Sequence, residues 1–202
     1  DLGSGETVGL ITYMRTDSVN ISDIALEEVR AYIPQKYGKE FLPDVANKYK
    51  SKAAAQQAHE AIRPTSVHGT PESLAAVLPE EQLRLYTIIW SKFVASQMKP
   101  AVYEQTSVDV TSGKYLFRAS GTRQLFAGFT AAWDDRDEDN RLPALAQGDP
   151  LDLKKLEPLQ HFTKPPARYT DASLIKTLEE LGIGRPSTYA PTIGTIVDRN
   201  YV

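Results

Sequence analysis

The sequence predicts a mainly helical α+β chain built in more than one part. Three observations carry that prediction. Leu83, Tyr86, Ile89, Trp90, Phe93, Val94 and Met98 recur at helical spacing across residues 79–98. From residue 102 the pattern changes to period two, and from Thr170 it returns to helical spacing. Helices, then strands, then helices is the order of an α+β chain rather than of alternating βα units.

Each element follows from its local pattern. Residues 8–12 read as a short strand delivering Tyr13 at its end. In "DIALEEVRAYI" the residues Ala25, Leu26, Val29, Tyr32 and Ile33 share one helical face, with Ser22 placed to cap it. "KYGKEFLPDVANKYKSK" is a polar, lysine-rich connection broken by Gly38 and Pro43. It leads into "AAAQQAHEAIRPT", an alanine-rich helix candidate that stops near Pro64. Pro100 closes the helix over 79–98. "VYEQTSVDV", "KYLFRAS" and "PLDLKKLEP" read as strands, separated by Ser-Gly, by an acidic loop and by Gln147-Gly148-Asp149. Leu174, Ile175, Leu178 and Leu181 then form a helical face ended by Gly182. After "GIGRPS" a last helix carries Ile193, Ile196 and Val197. No internal repeat is visible.

The totals exclude several classes. The 202 residues suffice for one large or two small domains, and 41% hydrophobic with 24% charged residues is an ordinary globular composition. No apolar run reaches the roughly 18 residues needed to cross a bilayer, so no membrane partner is expected. The absence of cysteine excludes disulfides and thiolate zinc sites and points to a cytoplasmic setting. The net charge of −3 is uneven: "DDRDED" at 134–139 holds five acids and one base, a local −4 that leaves the remainder near +1. Asp135, Asp137 and Asp139 alternate like calcium ligands, but the glycine and glutamate of a calcium loop do not follow, so a solvated loop is expected.

Four stretches concentrate chemistry. In "GLITYMRTDS", Arg15 lies two residues after Tyr13, on the same side of an extended chain. A phenol titrates near pH ~10 and needs a nearby cation or metal to attack as phenolate. Arginine grips phosphate through two parallel hydrogen bonds. The same residues also read as a core aromatic before a polar helix approach. In "QQAHEAIRPT", a helix would put His59 and Arg63 on one face, with Glu60 elsewhere, and that face suits a phosphate or a surface ion pair. A zinc protease is excluded because the second histidine is missing. "HFTKPPARYT" mixes Lys164 and Arg168 with Phe162 and Tyr169, which fits a nucleic-acid strand or an extended linker. In "LGIGRPSTYAPTIGTIVDRNYV", Arg185, Ser187 and Thr188 surround a helix N-terminus where a phosphate could sit, with Ser187 placed to cap the helix and Pro191 in its first turn. An αα-hairpin with an incidental arginine has the same pattern.

Taken together, "GLITYMRTDS", "QAHEAIRPT", "FTKPPARYT" and "GIGRPSTYAPTI" resemble the successive signature blocks of bacterial type IA DNA topoisomerases, in family order and across nearly the whole chain. The resemblance implies part of a toroidal fold. It also implies an enzyme that opens one strand of negatively supercoiled DNA, passes another strand and reseals the first without ATP. Tyr13 matches the nucleophile that becomes joined to the 5′ phosphate. Arg15 matches the arginine steadying that phosphate, and His59 a histidine near it. Arg185 and Thr188 match the DNA-contacting helix region, and Arg199 another strand-contacting arginine. Arg63, Lys164, Arg168, Ser187 and Tyr189 lie within the matching blocks, and the first four are assigned to DNA.

The family layout implies three parts. Residues 1–99 form most of the helical domain bearing the tyrosine, 100–167 a β-rich arch, and 168–202 the start of the DNA-binding domain. The family's Mg2+ is held by a Toprim domain that should precede this region, so the chain itself is expected to hold none. An excised central piece, inactive or nearly so alone, in the bacterial nucleoid and prone to self-association, is the resulting expectation. A tyrosine recombinase is the nearest rival enzyme, but there the nucleophile follows its arginines, whereas Tyr13 precedes every candidate partner. A non-catalytic DNA-binding module built on a helix-turn-helix-like segment explains "GIGRPST" and leaves "YMRTDS" without a purpose.

Overall fold

The computed structural model describes residues 8–14, 16, 18–50, 60–133 and 140–201. It is mixed α/β, mostly helical with one β-hairpin, and divides into two compact units, Asp1–Ala144 and Leu145–Val202.

The core of the first unit is made by α1 (Asp23–Lys36) and α3 (Glu80–Ser96). Ala25, Val29, Tyr32 and Ile33 of α1 are buried with Tyr86, Trp90, Phe93 and Val94 of α3, joined by Val67, Leu74 and Met98. The helical periods at 23–33 and 79–98 therefore name this interface correctly. Tyr32 and Trp90 meet edge to face at 5.7 Å, and the Trp90 indole donates to the Val67 carbonyl, so the large ring is buried without an orphaned N–H. The short α2 (Pro71–Leu74) is capped by Thr70, whose hydroxyl accepts from the Ser73 amide. Helix α1 runs three residues past Ile33, through Pro34. The proline ring fits helical φ and forfeits only the bond to the Arg30 carbonyl, while the Tyr37 amide closes the turn on Ile33.

Strands β1 (Val102–Ser112) and β2 (Tyr115–Phe126) form an antiparallel hairpin around Gly113-Lys114, with Val110 opposite Phe117 and Asp109 opposite Arg118. A forked ion pair joins the last two, with Arg118 Nε 2.6 Å from Asp109 Oδ1. The guanidinium holds the Asp109 carboxyl below its usual range, mainly by hydrogen bonding. The hairpin is rooted on the end of α3: Phe126 packs on Phe41 at 4.8 Å, and the Phe129 amide donates to the Lys99 carbonyl. Gly128 makes that root possible, because its φ is +51° and a Cβ there would lie 2.4 Å from the Pro100 backbone.

The second unit contains α4 (Asp171–Glu180) and α5 (Pro186–Asp198), with Tyr189 and Ile193 buried. Two sequence expectations fail. Residues 150–158 form no strand: β1 and β2 are the only named strands among the described residues, and an alternating segment without a partner edge gains nothing from extension. Leu153 is accordingly 80% exposed. The helix expected to end near Pro64 is not seen where it can be followed, since residues 60–65 are non-helical. The rest of that candidate, 51–59, and the acidic run 134–139 lie outside the described residues.

Candidate active site and nucleic-acid surface

The tyrosine-bearing stretch is held by the second signature stretch. Ile11 bridges Pro64 in antiparallel fashion. The Thr12 amide donates to the Arg63 carbonyl at 2.9 Å, and the Thr65 amide to the Leu10 carbonyl at 3.0 Å. Side chains repeat the tie. The Thr12 hydroxyl donates to the Ala61 carbonyl at 2.7 Å and accepts from the Arg63 amide at 3.0 Å. The Thr65 hydroxyl donates to the Gly9 carbonyl at 2.7 Å. On the far side of Tyr13, the Ala61 amide donates to the Asn20 carbonyl. The expected strand over 8–12 is thus one bridge rather than a ladder, and its partner is a segment about fifty residues on. Tyr13 follows the last tied residue, and its side chain is 66% exposed.

Arg63 is engaged inside this junction. Its Nε and Nη2 donate to one oxygen of Glu60, at 3.1 and 2.7 Å, and its Nη1 to the Pro64 carbonyl at 3.0 Å. Nη2 also reaches the Ser22 hydroxyl at 3.3 Å. The side chain is only 12% exposed. Glu60 was expected to point away from Arg63, and the extended path of 60–65 makes it the ion-pair partner instead. Ser22 stands at the N-cap of α1 as expected, but its side chain makes no cap bond and serves Arg63. Arg15 and His59 lie outside the described residues.

In the second unit, α4 begins with a reciprocal cap. The Ser173 amide donates to the Thr170 hydroxyl and the Thr170 amide to the Ser173 hydroxyl. It ends with Gly182 at C′: the Ile183 amide reaches the Leu178 carbonyl and the Gly182 amide the Glu179 carbonyl. Gly184 has φ +81°, and a Cβ on it would lie 3.1 Å from the Tyr189 ring, so the turn needs glycine on two counts. The N-cap of α5 is Arg185, not Ser187. Thr188 performs the capping: its hydroxyl accepts from the Arg185 amide at 2.9 Å and its amide donates to the Arg185 carbonyl at 2.8 Å. Ser187 falls at the second helical position because Pro186 fixes the first. Pro191 lies a turn further in than expected.

The exposed Arg185 guanidinium donates to the Gly184 carbonyl at 2.9 Å. Ser187, Thr188 and Arg199 are exposed, and so are Lys164 and Arg168 in the irregular stretch before α4. The structure therefore groups Tyr13 with Arg63 in one unit and the other described candidates in the second. Glu60 and Thr12 were missed by sequence reasoning. A threonine beside an apolar run and a glutamate three residues before an arginine carry no distinctive signal without the fold.

Among the described residues, no group of three or more His, Asp, Glu or Cys side chains is arranged to hold a metal ion. No helix among them is long and apolar enough to cross a membrane.

These features, an exposed tyrosine on a pinned segment and a capped helix pair edged with cations, occur in a chain that matches the DNA topoisomerase family over residues 6–202. The chain belongs to the type IA DNA topoisomerase family. It is similar to full-length topoisomerase I from Thermotoga maritima, with 39% identity and a TM-score of 0.80. The match covers 96% of this chain and 31% of that protein, so the chain spans about a third of the relative's length. The family resemblance carried by the four sequence blocks is thereby established, and the mostly helical fold with its hairpin corresponds to part of a topoisomerase I structure.

Proposed function

We propose that this chain carries the tyrosine side of a type IA strand-cleavage site together with part of the grip on single-stranded DNA. Tyr13 Oη attacks the phosphorus of one phosphodiester. The Oη–P bond forms as the P–O3′ bond breaks, the phenol loses its proton, and the departing 3′ oxygen gains one. The aryl ester keeps the free energy of the broken bond, so attack by the 3′ hydroxyl reseals the strand without ATP. Arg15 and His59 hold the phosphate oxygens. Strand passage between these steps relaxes negative supercoils.

The observation that carries this reading is the pairing of residues 9–12 with 61–65. It joins two family blocks at the base of an exposed tyrosine. The bonds of Arg63 to Glu60, Pro64 and Ser22 favour a first role in holding that junction, and its contact with DNA requires the ion pair to open. Lys164, Arg168, Arg185, Ser187, Thr188 and Arg199 are the proposed DNA contacts of the second unit. Residues 1–99 are assigned to the tyrosine domain, 100–167 to the arch and 168–202 to the start of the DNA-binding domain of a toroidal enzyme working in the bacterial nucleoid. Magnesium belongs to a Toprim domain in the whole enzyme. Exposed apolar residues on the hairpin, among them Leu116 and Phe117, favour self-association of this chain on its own.

Covalent trapping tests the reading. End-labelled single-stranded DNA is mixed with the chain, magnesium and a separately purified Toprim segment, then denatured and resolved on a gel. A labelled adduct that needs both proteins and vanishes in Tyr13→Phe is expected. An adduct from this chain alone would overturn the assignment of magnesium to another domain. DNA binding without any adduct would leave the helix pair α4–α5 as a non-catalytic binding module.

A further inference from the structure

The first unit has a second concave surface that combines cations with aromatic rings. A cleft of about 600 Å³ is lined by Lys48, Tyr49, Lys92, Met98, Phe129 and Trp133, and none of its lining residues is acidic. Lys92 Nζ lies 5.2 Å from the Trp133 ring centroid. One wall, residues 47–49, has no regular secondary structure, yet it is fastened. Fully buried Gln97 accepts from the Asn47 amide at 3.2 Å and donates to the Asn47 carbonyl at 3.1 Å. Asn47 Nδ2 donates to the Ser96 and Met98 carbonyls at 2.9 and 3.1 Å, and the Tyr49 hydroxyl to Ser96 at 2.7 Å.

These bonds do two things. They fix Lys48 and Tyr49 on a wall that would otherwise wander. They also cover carbonyls at the end of α3, the negative pole of that helix, which would oppose an anion nearby. A smaller hollow of about 300 Å³ shares Asn47, Lys48 and Tyr49 with the cleft and extends to Asn20 and Ile21. Asn20 accepts from Ala61 in the junction below Tyr13. The two hollows therefore share a wall at residues 47–49, and the smaller one also carries the Asp23 carboxylate.

We propose that the cleft seats one nucleotide of single-stranded DNA, its base against Trp133 or Tyr49 and its phosphate between Lys48 and Lys92. Aromatic platforms flanked by lysines bind any base, because every base offers a flat face, and the cleft volume lies in the range of ligand sites. The occupant follows from the charge: an apolar peptide would leave two lysines without partners. The proposal rests on the reading of the chain as a DNA-handling protein.

The chain has two tryptophans, and Trp90 is buried beyond contact with a bound base, so a quench by DNA reports Trp133. Oligothymidylate is titrated into the chain while tryptophan emission is recorded, and the anisotropy of labelled oligothymidylate is measured in parallel. Emission should be quenched along the anisotropy curve, and the quench should vanish in Trp133→Phe. Tyr49→Ala should weaken binding roughly fivefold or more, the scale of one lost stacking contact, with Tyr49→Phe restoring most of the loss, and Lys92→Ala should weaken it through the lost phosphate contact. An anisotropy rise with unquenched emission, and unchanged affinity in both alanine variants, would remove the seat and leave DNA binding intact. No anisotropy rise at all would remove the DNA-handling reading and the seat with it.

Discussion

Removing the Glu60 carboxylate separates two roles for Arg63. In Glu60→Ala the guanidinium loses both bonds to Oε2, at 3.1 and 2.7 Å, and keeps the Pro64 carbonyl and the long contact to Ser22. Breaking a fully buried ion pair costs about 3–5 kcal/mol, and an exposed one about 0–1 kcal/mol. With Arg63 12% and Glu60 35% exposed, the loss should fall between, at about 1–2 kcal/mol. Glu60→Gln, which keeps one acceptor oxygen, should lose roughly half as much. The assay is urea unfolding followed by tryptophan emission, which reports the first unit alone because Trp90 and Trp133 both belong to it. A change below about 0.3 kcal/mol in Glu60→Ala, within the scatter of surface substitutions, would mean that the pair holds nothing. Arg63→Lys gives the second arm. If it leaves stability unchanged but lowers DNA affinity about tenfold, the loss of a two-pronged phosphate contact, the guanidinium is a phosphate ligand first and the structural role is refuted.

Three further predictions follow from single contacts. Gly128→Ala should destabilise the hairpin root by about 2–4 kcal/mol, since φ is +51° and the new Cβ meets the Pro100 backbone rather than a movable side chain; unchanged unfolding by tryptophan emission would refute it. Gly184→Ala should cost about 1–2 kcal/mol in the second unit through its φ of +81° and the Tyr189 ring, read as faster amide exchange in α5, and native-like exchange would refute it. Tyr37 is pushed up to about 12, chiefly by burial and then by Tyr32 and Glu72. The folded chain therefore keeps a proton between pH ~10 and ~12 that the unfolded chain has lost, so stability should fall across that window by at most about 2 kcal/mol after allowing for partial exposure. Unfolding midpoints at pH 9 and 11.5 check this, and Tyr37→Phe should flatten the fall.

What was legible in the sequence was what repeats. The apolar periods of α1 and α3 named the residues that meet in the core, because one helical face has one place to go. Gly182 at a helix end and Gly113 between alternating runs were legible because each turn admits few residue types. Signals that depend on a distant partner misled. Leu151 and Leu153 alternate with Asp152 and Lys154, but alternation makes a strand only when an edge receives it. Residues 60–63 look helical in isolation, and the tertiary bonds to residues 12 and 20 override that propensity. The cap of α5 went to Thr188 rather than Ser187, because Pro186 takes the first helical position and shifts the count by two. For the candidate site, sequence pattern proposed Tyr13, while its exposure and the residues that hold its segment, Thr12 and Glu60, became visible only with the fold.

The manner of that holding bears on how a tyrosine of this kind could work. A nucleophile on a central strand would be rigid but half covered by its neighbours, and one on a free loop would lose its aim between encounters. Tyr13 follows a single β-bridge reinforced by two threonine hydroxyls. Its backbone is therefore fixed on one side by a segment about fifty residues away, while the residue remains 66% exposed. Thr12 matters most in this arrangement, since its hydroxyl both donates to Ala61 and accepts from Arg63. Thr12→Val keeps the shape and removes both bonds, leaving the Arg63 amide and Ala61 carbonyl without that partner, at a cost of about 1–3 kcal/mol. If positioning is the purpose of the junction, adduct formation in the trapping assay should drop by more than the fraction unfolded explains. A loss that tracks unfolding alone would mean the threonine serves the fold and not the aim of Tyr13.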